Sequence, residues 1–230
     1  MKEIGGYFGL DQFINNEYHK GLIALNTGRN ALMYLIKAKK IKKLYIPYYL
    51  CNSIRDTLKK NGCDFEYYHI DERFNPVLGN KLQERFANSK PRDEYIYVVN
   101  YYGQLTNDKV VFLKKKFNRI ILDNTQAFYQ RPLLGIDTIY SCRKFFGVPD
   151  GAYLSSDCIL NEELEVDISR NRMTHILGRY EGKASDYYND FRTNDESLRM
   201  APLMQMSKLT KNILGAIDYE RARIIRNKNY

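Results

Sequence analysis

The chain has 230 residues, 44% of them hydrophobic and 13% aromatic, with 20 tyrosines. That composition buries a sizeable core and excludes a disordered chain. The net charge is +9, from 36 basic and 27 acidic residues, and by itself it would suit a nucleic-acid or phosphate partner. The charge is clustered at 37–43, at 114–116 and after 207. The first two clusters fall at predicted helix C-termini, where cations oppose the helix dipole. No zinc-finger, RNP or basic-zipper pattern accompanies them, so they read as a solvated basic face and no nucleic-acid partner is expected. No apolar run reaches a membrane span, and MKEIGGYFGL has neither the apolar stretch nor the cleavage site of a secretory signal.

The cysteines are Cys51, Cys63, Cys142 and Cys158, with no C-x-x-C, and the histidines His19, His69 and His175 are widely spaced. That pattern gives no metal site. Isolated cysteines suit a reducing, cytoplasmic setting.

In chain order, TGRNAL (27–32) is a Thr-Gly turn feeding a helix, readable as a structural N-cap or as a phosphate cradle of backbone N–H groups. Leu32, Leu35, Ile36 and Ala38 give residues 30–42 a helical spacing. LYIP (44–47) is a short strand stopped by Pro47, and 51–61 is a helix ended by Gly62. A strand follows at 63–70 and a short helix at 79–87. YIYVVNYYG (95–103) is the most apolar strand, with a helix at 107–118 after it. Strands are predicted at 119–123, 137–141 and 151–156. From Pro202 to Tyr230 the stripe of Met206, Leu209, Ile213, Ile217 and Ile224 predicts one long helix.

Strands alternating with helices argue for right-handed crossovers and a mainly parallel sheet, with ligands at the carboxyl ends of the strands. Asp123 and Ser141 fall at that edge, and Lys144 lies just beyond it. A buried carboxylate and a lysine at successive strand ends are what pyridoxal 5'-phosphate (PLP) chemistry needs. Singly, each residue has a blander reading. Asp123 can cap a helix, Lys144 can be a surface lysine packed by its stem, and Gln126 can cap a turn. Their order carries the weight: a phosphate-type turn, then Asp-x-x-Gln after a strand, then Ser-x-x-Lys after the next, then VPDGAYL.

IGGYFGL (4–10), TGRNAL, IPYYLCNSI (46–54), DNTQAF (123–128), SCRKFFGVPDGAYL (141–154) and SLRMAPLMQM (197–206) together resemble the DegT/DnrJ/StrS sugar aminotransferases. The resemblance implies the three-layer α/β/α large domain of fold type I PLP-dependent transferases over residues 1–200. Residues 201–230 would be a long helix leading into a C-terminal small domain that is absent. The implied function is PLP-dependent amino transfer to a nucleotide-linked keto sugar in surface-polysaccharide or related biosynthesis.

By the same resemblance Lys144 matches the catalytic Schiff-base lysine, Asp123 the partner of the pyridine nitrogen, and Gln126 the residue near the ring's phenolic oxygen. Gly28, Arg29 and Asn30 match the phosphate loop, mainly through backbone N–H groups, and Ser141 a phosphate-contacting hydroxyl. Ser197 falls where the family often has an Asn that reaches the partner subunit's cofactor, which implies a homodimer. Three departures stand out: Cys51 occupies the position of the usual ring-stacking aromatic, Ser141 and Lys144 are three residues apart instead of five, and the small domain is missing. They support an alternative expectation, a truncated, weak or inactive relative acting as a dimeric binding or scaffold protein.

Overall fold

The computed structural model describes residues 6–13, 16–87 and 93–229. Among them the strands are β1 (Ile23–Leu25), β2 (Lys43–Pro47), β3 (Asp64–Ile70), β4 (Pro76–Val77), β5 (Glu94–Val99), β6 (Ile120–Asp123), β7 (Asp137–Ser141) and β8 (Ala152–Ser155). The helices are α1 (Gly28–Ala38), α2 (Asn52–Lys60), α3 (Asn80–Ala87), α4 (Asn107–Phe117), α5 (Thr174–Glu181), α6 (Tyr188–Met200), α7 (Lys208–Gly215) and α8 (Tyr219–Asn229).

Alternation within the strands sets the layers. In β5, Tyr97 and Val99 join one core, while Ile96 and Val98 join the other. β2 divides in the same way, Leu44 and Ile46 against Tyr45. A period of two with both faces apolar is the mark of a strand covered on both sides. α1 and α2 cover the first face with Leu32, Leu35, Ile54 and Leu58. α3 and α4 cover the second with Phe86, Val110, Leu113 and Phe117. The result is the expected α/β/α sandwich.

The strand order is β1-β8-β7-β6-β5-β2-β3-β4. β7, β6, β5, β2 and β3 are mutually parallel, while β8, β1 and β4 each pair antiparallel with their neighbours. After β2 the chain moves out to β3, then returns to the other side of β2 as β5. That reversal opens a crevice at the carboxyl ends, where ligands bind in sheets of this kind.

Two expected elements differ from the reading of the sequence. The strand expected over 95–103 ends at Val99, and Tyr101–Gly103 is a 3-10 turn in which Tyr102 has φ of 55°. The single long helix expected from Pro202 is two helices, α7 and α8, separated at 216–218. Residues 204–206 cannot be helical because their backbone extends the sheet: Asn26 N donates to Met204 O at 3.0 Å and Met206 N donates to Ala24 O at 3.1 Å. α7 starts only after Ser207, whose hydroxyl accepts from Thr210 N. Both helices rest on a third core of Phe128, Tyr140, Tyr153, Met206, Leu214 and Tyr219. β1, β4, α5 and α6 are additions to the elements read from the sequence. No helix among the described residues is long and apolar enough to cross a membrane.

Candidate active site

The carboxyl ends of β2, β5, β6 and β7 and the start of α1 enclose a cleft of about 1100 Å³. Asp123 ends β6 and is buried. Its Oδ2 accepts a hydrogen bond from the Tyr97 hydroxyl at 2.8 Å, and its Oδ1 accepts one from the backbone N–H of Thr125 at 2.8 Å. Burial, reinforced by the neighbouring Asp123 carboxylate, pushes the Tyr97 phenol well above its ordinary range, so it stays a donor.

Lys144 sits in a tight turn after β7, in which Phe145 N and Phe146 N both donate to Cys142 O. Its Nζ donates to Thr125 Oγ1 at 3.1 Å. Thr125 therefore links the two halves of the expected pair, with its N–H on Asp123 and its hydroxyl on Lys144. Gln126 follows directly, its Oε1 accepting from Tyr102 N at 3.1 Å.

The N-terminus of α1 forms another wall. Thr27 Oγ1 accepts from Asn30 N at 3.1 Å, which fixes the first turn. The N–H groups of Gly28 and Arg29 have no carbonyl partner within the helix, as at any helix start. A Cβ on Gly28 would come within 3.6 Å of Thr125 Cγ2, so the turn lies close against the Asp123 loop. Cys51 precedes α2 and receives a hydrogen bond from Ser53 Oγ at 3.3 Å. Burial alone would raise its thiol, but the Ser53 hydrogen bonds and the Lys144 and Arg29 charges bring it below the ordinary thiol value.

The cleft is thus lined by Gly28, Arg29, Cys51, Asp123, Gln126, Ser141 and Lys144, seven of the residues singled out in the sequence. Two of the others are elsewhere. The Asn30 side chain is buried and donates to Asn26 Oδ1 at 2.7 Å and to Pro202 O at 2.6 Å. Ser197 lies on α6 and returns its hydroxyl to Asn194 O at 2.8 Å. The structure adds Tyr97, Tyr101, Thr125, Arg143, Asp195 and Arg199 to the cleft wall. Of these, Thr125 and Arg143 were within reach of the sequence, since they adjoin Gln126 and Lys144. Asp195 and Arg199 come from α6, which the sequence tied to a cofactor only through Ser197, and then to the partner subunit's.

No protein-family model matches the sequence, and no curated protein does. Solved structures do match the fold. A proposed aminotransferase from Burkholderia pseudomallei K96243 is superimposed with a TM-score of 0.50 at 13% identity, over 89% of this chain and 56% of that one. A DegT DnrJ EryC1 StrS aminotransferase from Brucella abortus gives 0.44 at 14% identity, over 64% of this chain and 47% of that one. An aminotransferase of Helicobacter pylori involved in the biosynthesis of pseudoaminic acid gives 0.43 at 14% identity, over 64% and 47%. The chain spans about half the length of these structures. Its α/β fold is that of the PLP-dependent aminotransferases, as expected from the sequence.

Proposed function

We propose that the chain binds PLP in this cleft and serves as the cofactor-binding part of an aminotransferase. Its substrate would be a keto sugar, nucleotide-linked, in surface-polysaccharide or related biosynthesis, and it would work as a cytoplasmic homodimer. The observation that carries the reading is the amine of Lys144 and the buried carboxylate of Asp123 meeting on one residue, Thr125.

The donor set fits the cofactor. Lys144 has no ion pair among the described residues, so its amine is available to hold the group through its aldehyde. Asp123 would accept from the ring nitrogen, and the N–H groups of Gly28 and Arg29 with the Ser141 hydroxyl would take the phosphate. When bound, PLP supplies an electron sink for the substrate carbon. The protein's own part is proton handling. With the cofactor held there, Asp123 would keep a proton on its ring nitrogen and Lys144 Nζ would be the group placed to carry a proton at the substrate. Thr125 Oγ1 aims that amine, and Tyr97 holds the Asp123 carboxylate in register.

The test is a titration with PLP followed by absorbance. We expect a visible band that is absent in Lys144→Ala. No band at saturating PLP in the folded native chain would overturn the reading. Amino transfer to a keto sugar nucleotide, assayed separately, tests the substrate.

A further inference from the structure

The α6 side of the cleft carries charge that the cofactor reading leaves unused. Arg143 Nη1 lies 3.2 Å from Asp195 Oδ1, and Arg199 Nε lies 3.7 Å from Asp195 Oδ2. Arg29 lines the same cleft as Asp195, Arg143 and Arg199. The Asp195 carboxylate is already shared by two guanidinium groups before Arg29 is counted. Arg29 has no ion pair among the described residues, and its Nε is buried without a hydrogen-bond partner. A buried, unpartnered donor costs free energy until something accepts from it. Arginine does not lose its proton in proteins, so the strain cannot be relieved by neutralising it. Burial and the two neighbouring arginines disfavour its charge, and Asp195 and Cys51 favour it. An arriving anion would relieve all of this at once.

The two ends of Arg29 are distinct. Its backbone N–H belongs to the first turn of α1, and the residue lines the cleft together with Asp195 and Arg199 of α6. We propose that the guanidinium groups of Arg29 and Arg143, buttressed by Asp195 and Arg199, form a receptor for an oxyanion group of the substrate, separate from the N–H groups at the start of α1. The planar fork of arginine suits a carboxylate or a phosphate oxygen pair. The shared chemistry is an oxyanion, and its source is either the diphosphate of a nucleotide-linked sugar or the carboxylate of an amino donor. The inference rests on the proposed function for its meaning in a reaction, but the receptor itself can be measured without cofactor.

The experiment is calorimetry on the full chain at low salt, with pyrophosphate in one arm and glutamate in the other, each with and without PLP. The variants are Arg29→Met and Arg143→Met, each checked for folding by circular dichroism; if one fails to fold, the other carries the test. We expect one of the two anions to bind the native chain and to lose at least tenfold in affinity in each variant. We expect PLP affinity to change less than threefold in Arg143→Met, a residue the cofactor reading does not use. Pyrophosphate responding points to the sugar nucleotide, and glutamate to the amino donor; either supports the receptor. Unchanged affinity in the variants, or binding of neither anion, overturns it. A parallel loss of PLP and anion in Arg143→Met also overturns it, because the guanidinium would then belong to the cofactor site. Anion binding that persists in a chain unable to bind PLP would leave the receptor standing and sink the proposed function instead.

Discussion

Tyr97 donates its hydroxyl to Asp123 Oδ2 at 2.8 Å from β5, the strand hydrogen-bonded to β6, which Asp123 ends. Both residues are buried, so the bond is not in competition with water. Tyr97→Phe keeps the ring and removes the donor, leaving one carboxylate oxygen short of its protein partner. The expected cost is about 1–3 kcal/mol in urea unfolding at an unchanged m-value. PLP affinity should fall as well, since Asp123 loses the contact that orients it. A variant as stable as the native chain, with unchanged PLP affinity, would show that Tyr97 only fills space.

Gly178 is a second point where one atom decides the sign of an effect. It lies inside α5, where replacing glycine by alanine ordinarily stabilises a helix by about 1 kcal/mol. Here a Cβ would fall 2.3 Å from the ring of Tyr187, in the turn that joins α5 to α6. Gly178→Ala should therefore destabilise, by about 1–3 kcal/mol, as overpacking does. The hairpin of α5 and α6 should open, seen as faster limited proteolysis between 182 and 188. Adding Tyr187→Ala should recover much of the loss. If the double variant is no better than Gly178→Ala alone, the contact with Tyr187 is not the cause.

The sheet apart from β1 and β4, and its first four helices, were legible because each signal is local. Alternation in Tyr95–Val99 marks a strand, Leu32, Leu35 and Ile36 mark a helix, and Thr27 marks its start. Asp123 and Lys144 could be placed at one edge because strand order follows from connection rules. The long terminal helix was misread because a stripe of apolar residues does not reveal that residues 204–206 give their backbone to the sheet. Likewise, Asp195 is about fifty residues from Arg143, and only the tertiary fold brings α6 over the cleft.

Asp150 explains why α7 begins where it does. It is fully buried, and its carboxylate accepts from Ser207 N at 2.8 Å, from Ser207 Oγ at 2.7 Å and from the Thr210 hydroxyl. Burial raises its pKa above the ordinary aspartate value, and the hydrogen bonds from Ser207 and Thr210 only partly offset that. The following Gly151 has φ of 117°, and a Cβ there would meet Thr210 Cγ2 at 3.0 Å, so the loop and the helix are fitted to each other. Asp150→Ala removes the acceptor for three donors and should cost about 2 kcal/mol or more, through buried donors left without a partner. Amide exchange in α7 should accelerate more than in β5 or β6. Uniform acceleration across the chain would contradict a local role.

His19 makes a prediction about pH. Its ring lies among Phe128, Tyr140 and Tyr153, and its Nε2 is 2.8 Å from Phe128 O. Burial lowers its pKa from 6.5 to about 4, against the opposing hydrogen bond to Phe128 and with help from the Arg131 charge. The neutral ring is therefore the native form, with Nε2–H donating to the carbonyl. Between pH 6.5 and about 4 the unfolded chain binds a proton at His19 that the folded chain does not. Stability is then fully present above pH 6.5, falls as the pH drops through this window, and loses no more to His19 once the folded pKa is passed. A gap of this size corresponds to at most about 3 kcal/mol. His175 is also lowered, by burial and by Arg143, and adds the same sign of dependence. The native chain should therefore be compared with His19→Phe by urea unfolding at several pH values from 4 to 7. The phenyl ring keeps the aromatic packing but cannot titrate, so its curve should be flatter, with the difference confined to this window. Parallel curves for the two proteins would mean that the acid sensitivity comes from other groups.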